Sequence, residues 1–180
     1  TVGSGTLALL QGNAKEITRK TGVEIEIYRV ASRSLQVDIA GVTHSGTDPF
    51  EVANDPEVDV VVEAMGGFDP AYDVVHKALE NGKHVVTANK ALIAEHGGTI
   101  FAQAEARGLM VCYEAAVAGG IPIIKALREG LSANRINWLA GIINGTTNFI
   151  LSEMDTKGRE FADVLSEAQA KGYAEADPTF

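Results

Sequence analysis

Apolar and polar positions divide the chain into strand and helix patterns joined by short connectors. The clearest strand pattern is EVDVVVEAMGG (57–67). Its apolar run over 58–64 is nearly continuous, as in a parallel strand covered on both faces. KHVVTAN (83–89) and LMVCYEAAV (109–117) read as further strands. VEIEIYRVASR (23–33) alternates and is rich in β-branched residues, which also predicts a strand. Helical spacing links Leu7, Leu10, Ala14 and Ile17, with Gly22 as the stop. DPFEVANDP predicts a short helix entered at Pro49 and ended before Pro56. In AYDVVHKALENG, Asp69 is the expected N-cap, Pro70 the first-turn residue and Gly82 the terminator. KALIAEHGGTIFAQAEARG reads as a helix ending at Gly108, with Gly97 and Gly98 as a candidate break. Residues 34–48 carry turn formers and show no clear period. Strand–helix alternation with short connectors predicts an α/β chain with a doubly wound parallel sheet.

The character changes after Val117. AGGIPIIKALREGL suggests a helix entered at Pro122, and RINWLAGIING a longer strand. TTNFILSEMDTKG and REFADVLSEAQAKG predict two helices. The expected boundary falls at 115–120, giving domains of 1–116 and 117–180.

Composition narrows the function classes. At 46% hydrophobic and 22% charged residues the chain is ordinary for a globular protein. A net charge of −9 disfavours nucleic acid and anionic membranes, while leaving room for a local phosphate site. No apolar run approaches the roughly 20 residues of a membrane span, and no leader pattern is expected. The single Cys112 cannot form an internal disulfide, so the expected setting is a reducing cytoplasm.

The opening TVGSG has two readings. A dinucleotide-binding turn is G-x-G-x-x-G between a strand and a helix, and Gly3 fits its third glycine, preceded by Thr1 and Val2. An ordinary glycine-started helix fits as well. The strand ending RVASR follows Gly3 by about 30 residues, where this fold meets the adenosine ribose. There an acid favours NAD. Instead Arg29 and Arg33 are present, and a guanidinium suits a 2′-phosphate. Solvated surface arginines are the alternative.

VVVEAMGG, VVTANKALIA, YEAAVAGGIPII, GIINGTTNFIL and GYAEADPTF occur in this order along the chain. In that combination the chain resembles the homoserine dehydrogenase family along essentially its whole length. The resemblance implies a Rossmann-type NAD(P)-binding domain lacking its first strand, followed by the start of an α+β substrate and dimerisation domain. It further implies an internal fragment truncated at both ends, inactive in isolation, whose full-length parent is a cytoplasmic homodimer. The implied reaction interconverts L-homoserine and L-aspartate 4-semialdehyde with NADP or NAD, in threonine and methionine biosynthesis.

That reaction needs a positioned hydride donor, a proton for the developing alkoxide, and handles for the substrate ammonium and carboxylate. Lys90 follows a short strand and opens a helix, at the carboxyl edge where ligands of this fold bind. A partly desolvated lysine there can give a proton or orient a carbonyl; a solvated first-turn lysine is the plain alternative. By resemblance Lys90 is the catalytic lysine and also a cofactor contact. The cofactor set becomes Thr1, Val2, Gly3, Arg33, Met65, Gly66, Lys90 and Gly172. Gly145, Thr146, Tyr173 and Glu175 become substrate contacts, with Glu175 meeting the amine. Glu114 and the carbonyls of Val117, Gly119 and Ile121 become the site of a structural monovalent cation, sodium by expectation. His44, His76, His84 and His96 lack paired metal-ligand spacing and are expected to be solvated or structural.

Two rivals differ in kind. Aspartate-semialdehyde dehydrogenase chemistry needs a nucleophilic cysteine, and Cys112 lies in an apolar strand pattern. A non-catalytic dinucleotide-sensing module would need neither a catalytic acid nor a lysine.

Overall fold

The computed structural model describes residues 2–34, 39–142 and 144–174. The chain forms two compact units, Thr1–Ser132 and Ala133–Phe180.

In the first unit, α1 (Val2–Gly12) and α2 (Ala14–Thr21) replace the single expected helix, and Gly22 in the left-handed conformation ends α2. β1 (Arg29–Ala31) pairs in parallel with β2 (His44–Gly46). The expected strand over 23–33 is thus reduced to its last third. Alternation predicts extended backbone, but a ladder also needs a neighbour, and 23–26 have none among the described residues. The turn-rich stretch before Pro49 conceals β2, too short to show a period.

Then come α3 (Pro49–Asn54), β3 (Val60–Glu63), α4 (Ala71–Glu80), β4 (His84–Thr87), α5 (Lys90–Glu105) and β5 (Val111–Cys112). Asp48 caps α3 by accepting the Phe50 amide at 2.8 Å. Arg29 ties β1 to α3 through Asp55 and Glu51, both at 2.9 Å. The Glu57 amide, ahead of that guanidinium, holds the Asp55 carboxyl below its ordinary value against the opposing effect of burial.

β3, β4 and β5 form a parallel sheet in sequence order. Val61, Val85 and Val111 supply its buried apolar side chains. Val74, Val75, Ala78 and Leu79 of α4 and Leu92, Ile100 and Ala104 of α5 complete the core. Asp69 is not a cap: α4 starts after Pro70, with no side-chain cap. α5 runs unbroken through Gly97 and Gly98. There Gly97 is buried and a Cβ would meet Phe101 at 3.3 Å, so close packing explains that glycine. The strand expected over 109–117 stops after two residues and gives way to a 3-10 turn, Glu114–Ala116. α6 (Ile123–Lys125) follows Pro122 and continues as a π-helical turn, Ala126–Gly130.

The second unit contains α7 (Gly145–Lys157) and α8 (Phe161–Ala170), packed through Ile150, Val164 and Ala168. The strand expected over 135–145 is absent among the described residues. Ile136, Trp138, Leu139 and Ile142 are exposed there and find no ladder partner. Among the described residues no helix is long and apolar enough to cross a membrane.

Candidate active site at the carboxyl edge of the sheet

Parallel pairing brings the ends of β3, β4 and β5 to one edge, and the loops leaving that edge carry the candidate chemistry. Glu63, the last residue of β3, is 2% exposed. Its Oε1 accepts the amides of Met65 at 2.7 Å and Gly66 at 3.3 Å. Its Oε2 accepts the Thr87 hydroxyl at 2.6 Å. Thr87 Oγ1 in turn accepts the Asn89 amide at 3.0 Å. The Asn89 side chain then works in both directions. Nδ2 donates to the Gly67 carbonyl at 2.6 Å, and Oδ1 accepts the Leu92 amide at 3.1 Å, capping α5. Every polar atom of this buried chain has a partner, as a low-dielectric interior demands.

Lys90 is the first residue of α5, directly after the Asn89 cap. It is exposed, so the partial desolvation expected of it is not present in this chain. Met65 is 40% exposed. Gly66 and Gly67 have φ of 77° and 71°, and a Cβ at either would meet open space. The left-handed backbone explains these glycines, and they leave an open face beside Lys90's helix. The Met65 and Gly66 amides are turned onto Glu63 and so do not face the open side of the loop.

Arg33 lies exposed in the turn after β1. Of the two arginines considered there, Arg29 is committed to Asp55 and Glu51. Val2 and Gly3 occupy the first turn of α1, and a Cβ at Gly3 would meet nothing within 4 Å. The close helix–strand packing that a third fingerprint glycine serves is therefore not seen at Gly3 among the described residues. Thr1 lies outside them.

Glu114 begins the 3-10 turn, where its carboxylate accepts the Ile124 amide at 2.9 Å and the Lys125 amide at 2.8 Å. The Lys125 ammonium instead lies 3.5 Å from Glu129. Ala118 and Gly119 both have positive φ. The Ile121 carbonyl accepts the Ile123 amide, while those of Val117 and Gly119 accept no backbone donor among the described residues. Among those residues no three His, Cys, Asp or Glu side chains gather as a metal site. A cation here would therefore depend on Glu114 and backbone oxygens.

In the second unit Asn144 caps α7 by accepting the Thr147 amide at 2.9 Å. The Thr146 hydroxyl donates to the Tyr173 carbonyl. The Thr146 hydroxyl and the Thr147 amide are thus both engaged within this unit. Gly145 opens α7, and Gly172 follows α8 with a φ of 73°. The exposed Tyr173 ring meets Phe149 edge-on at 5.3 Å. Glu175 and Asp177 lie outside the described residues. Cys112 is exposed on β5. His84 Nδ1 accepts the Met110 amide, and His96 packs on Phe68 and Tyr72, so both serve structure.

Sequence reasoning named Met65, Gly66 and Lys90, which the structure places at this edge, and did not name Glu63, Thr87 and Asn89. A carboxylate ending a buried strand in VVVE, paired with a threonine ending the next strand, was the available signal.

The family profile described as "Homoserine dehydrogenase, NAD binding domain" matches residues 1–114, and that described as "Homoserine dehydrogenase" matches 122–180. A homoserine dehydrogenase of Pseudomonas aeruginosa is 64% identical over the whole of this chain. The crystal structure of a homoserine dehydrogenase from Thiobacillus denitrificans is 63% identical over 99% of the chain, with a TM-score of 0.89. A hyperthermophilic archaeal homoserine dehydrogenase in complex with NADPH is 28% identical, with a TM-score of 0.66 over 93% of this chain and 48% of its own. The chain spans 42% of the length of the Pseudomonas and Thiobacillus proteins.

Proposed function

The chain belongs to the homoserine dehydrogenase family, and from that premise we propose that the full-length protein interconverts L-homoserine and L-aspartate 4-semialdehyde with NADP(H) or NAD(H). The observation that carries this reading is the carboxyl edge of the parallel sheet. There the glycine loop 65–67 and the first turn of α5 are locked together by buried hydrogen bonds. The open space over Gly66 and Gly67 fits a flat ring against the backbone. A bound nicotinamide would supply or take up the hydride.

The protein's own part is positioning and proton handling. Lys90, at the N-terminus of a capped helix, reaches the alkoxide oxygen and gives or orients its proton. Arg33 meets the adenosine 2′-phosphate and favours NADP. Val2, Gly3 and Thr1 bind the pyrophosphate, and Gly172 is a further cofactor contact. Gly145, Thr146, Tyr173 and Glu175 hold the amino-acid end of the substrate, with Glu175 on its ammonium. Glu114 retains lone pairs beyond its two amide partners. With the carbonyls of Val117, Gly119 and Ile121 it holds a monovalent cation, sodium in this reading. A stability dependence on sodium that survived Glu114→Gln would remove that assignment. The domain boundary falls at 115–120, dividing residues 1–116 from 117–180, and the full-length protein is a cytoplasmic homodimer. Equilibrium sedimentation giving the mass of one chain would refute the dimer.

The test of function is NADP reduction by the full-length protein with homoserine varied. Lys90→Ala mainly lowers kcat, because a proton-transfer role is felt in the transition state, and Glu175→Ala mainly raises KM. A full-length protein that oxidises no homoserine with either cofactor would sink the proposal.

A further inference from the structure

Two loops that a ligand would meet together, 65–67 and the start of α5, share no backbone hydrogen bond among the described residues. Side chains join them. Glu63 gathers the first loop through two amides and reaches β4 through Thr87. Asn89 grips the Gly67 carbonyl with one arm and caps the helix with the other. Thr87 is the middle member: its hydroxyl proton goes to Glu63 and its oxygen accepts from Asn89. All three are at least 95% buried, at 2%, 1% and 5% exposure. They touch solvent too little to contact a ligand themselves, yet they set the backbone from which Lys90 projects.

We propose that Glu63, Thr87 and Asn89 are positioning residues: a buried relay that sets Lys90 at a defined place relative to the Met65–Gly67 loop. The inference rests on the reading of Lys90 given above for its catalytic consequence. Its structural half stands without that reading. The physical reason for such a relay is that an exposed lysine has a flexible stem. Only its backbone can be fixed from beneath, and the relay fixes it from both sides. Small misplacements of a reacting group cost rate steeply.

The chemistry of each member predicts different substitutions. Thr87→Val keeps the shape but leaves Glu63 Oε2 and the Asn89 amide without partners. Thr87→Ser keeps the hydroxyl. Glu63→Gln keeps an acceptor for the Met65 and Gly66 amides, but places an NH₂ against Thr87, whose own proton then lacks an acceptor.

Two readouts on the full-length protein test the proposal. The first is amide hydrogen exchange without cofactor. In Thr87→Val the Met65, Asn89 and Leu92 amides lose protection together, while Val85, bonded to Met110 within the sheet, keeps its own. Thr87→Ser restores the pattern. The second is a mutant cycle in steady-state kinetics. Thr87→Val lowers kcat about tenfold in the parent and changes it little when Lys90 is already alanine, because residues acting as one unit are non-additive. A generally weakened fold would instead give the same factor in both backgrounds. Unchanged exchange at 65 and 92 in Thr87→Val would overturn the relay whatever the kinetics. Equal kcat losses with and without Lys90 would overturn its link to catalysis. Coupled exchange in a protein that oxidises no homoserine would sustain the relay and remove the proposed function instead.

Discussion

Thr87 and Glu63 are register partners on adjacent parallel strands, and the hydroxyl of one donates to the carboxylate of the other across 2.6 Å. The bond is buried and joins the ends of β3 and β4 at the edge that carries Lys90.

Glu63→Ala strands three donors, the amides of Met65 and Gly66 and the Thr87 hydroxyl. Unsatisfied buried groups carry their full desolvation cost, so the expected loss is about 3 kcal/mol. Urea denaturation of the full-length protein measures it, as a lower midpoint at unchanged slope. A loss below about 1 kcal/mol would mean that water reaches the site readily.

Arg33→Ala separates the two cofactors. A lost bidentate phosphate contact costs about 1.5–3 kcal/mol of binding, or roughly tenfold and more in Kd. The Kd of NADPH, followed by fluorescence titration, rises by that factor while that of NADH barely moves. Equal weakening of both would place Arg33 away from the 2′-phosphate. Arg29→Ala, by contrast, breaks the link to Asp55 and Glu51 and acts on stability.

Leu92→Ala cuts into the core where α5 meets the sheet, since Leu92 is fully buried. Leucine-to-alanine changes in such places cost about 2–5 kcal/mol through lost transfer energy and the cavity left behind. The same urea titration reads it. Leu131→Ala at a 42% exposed position should cost far less, and a comparable loss there would contradict the burial difference.

Glu167 carries a pH dependence of known sign. The Lys171 ammonium first, and then the Arg159 guanidinium, hold its carboxyl down at about 2 against an ordinary 4.5. A lowered folded value means the contribution is complete above about pH 4.5 and is lost as pH falls toward 2. Glu167→Gln removes that part of the acid sensitivity. Carbon NMR of the Glu167 carboxyl gives the midpoint directly, and a value near 4.5 would show the pairs to be absent in solution. Because the group is only half-buried, added salt narrows the difference.

Periodicity and punctuation determined much of this protein before any contact was known. A run such as VVVE with glycines after it is a strand and its exit turn, because backbone geometry and burial act locally. The caps at Asp48 and the terminators at Gly22 and Gly158 are likewise local events. Met65, Gly66 and Lys90 were legible for the same reason, as residues at strand tips and helix starts. What the tertiary structure alone decided is pairing. Residues 23–26 have a strand's pattern and 135–142 have its composition, yet a ladder forms only where a neighbouring strand supplies donors and acceptors. Glu63, Thr87 and Asn89 are ordinary residues in isolation. Parallel register places the first two side by side, 24 residues apart in the chain, and only then does burial make their hydrogen bonds obligatory.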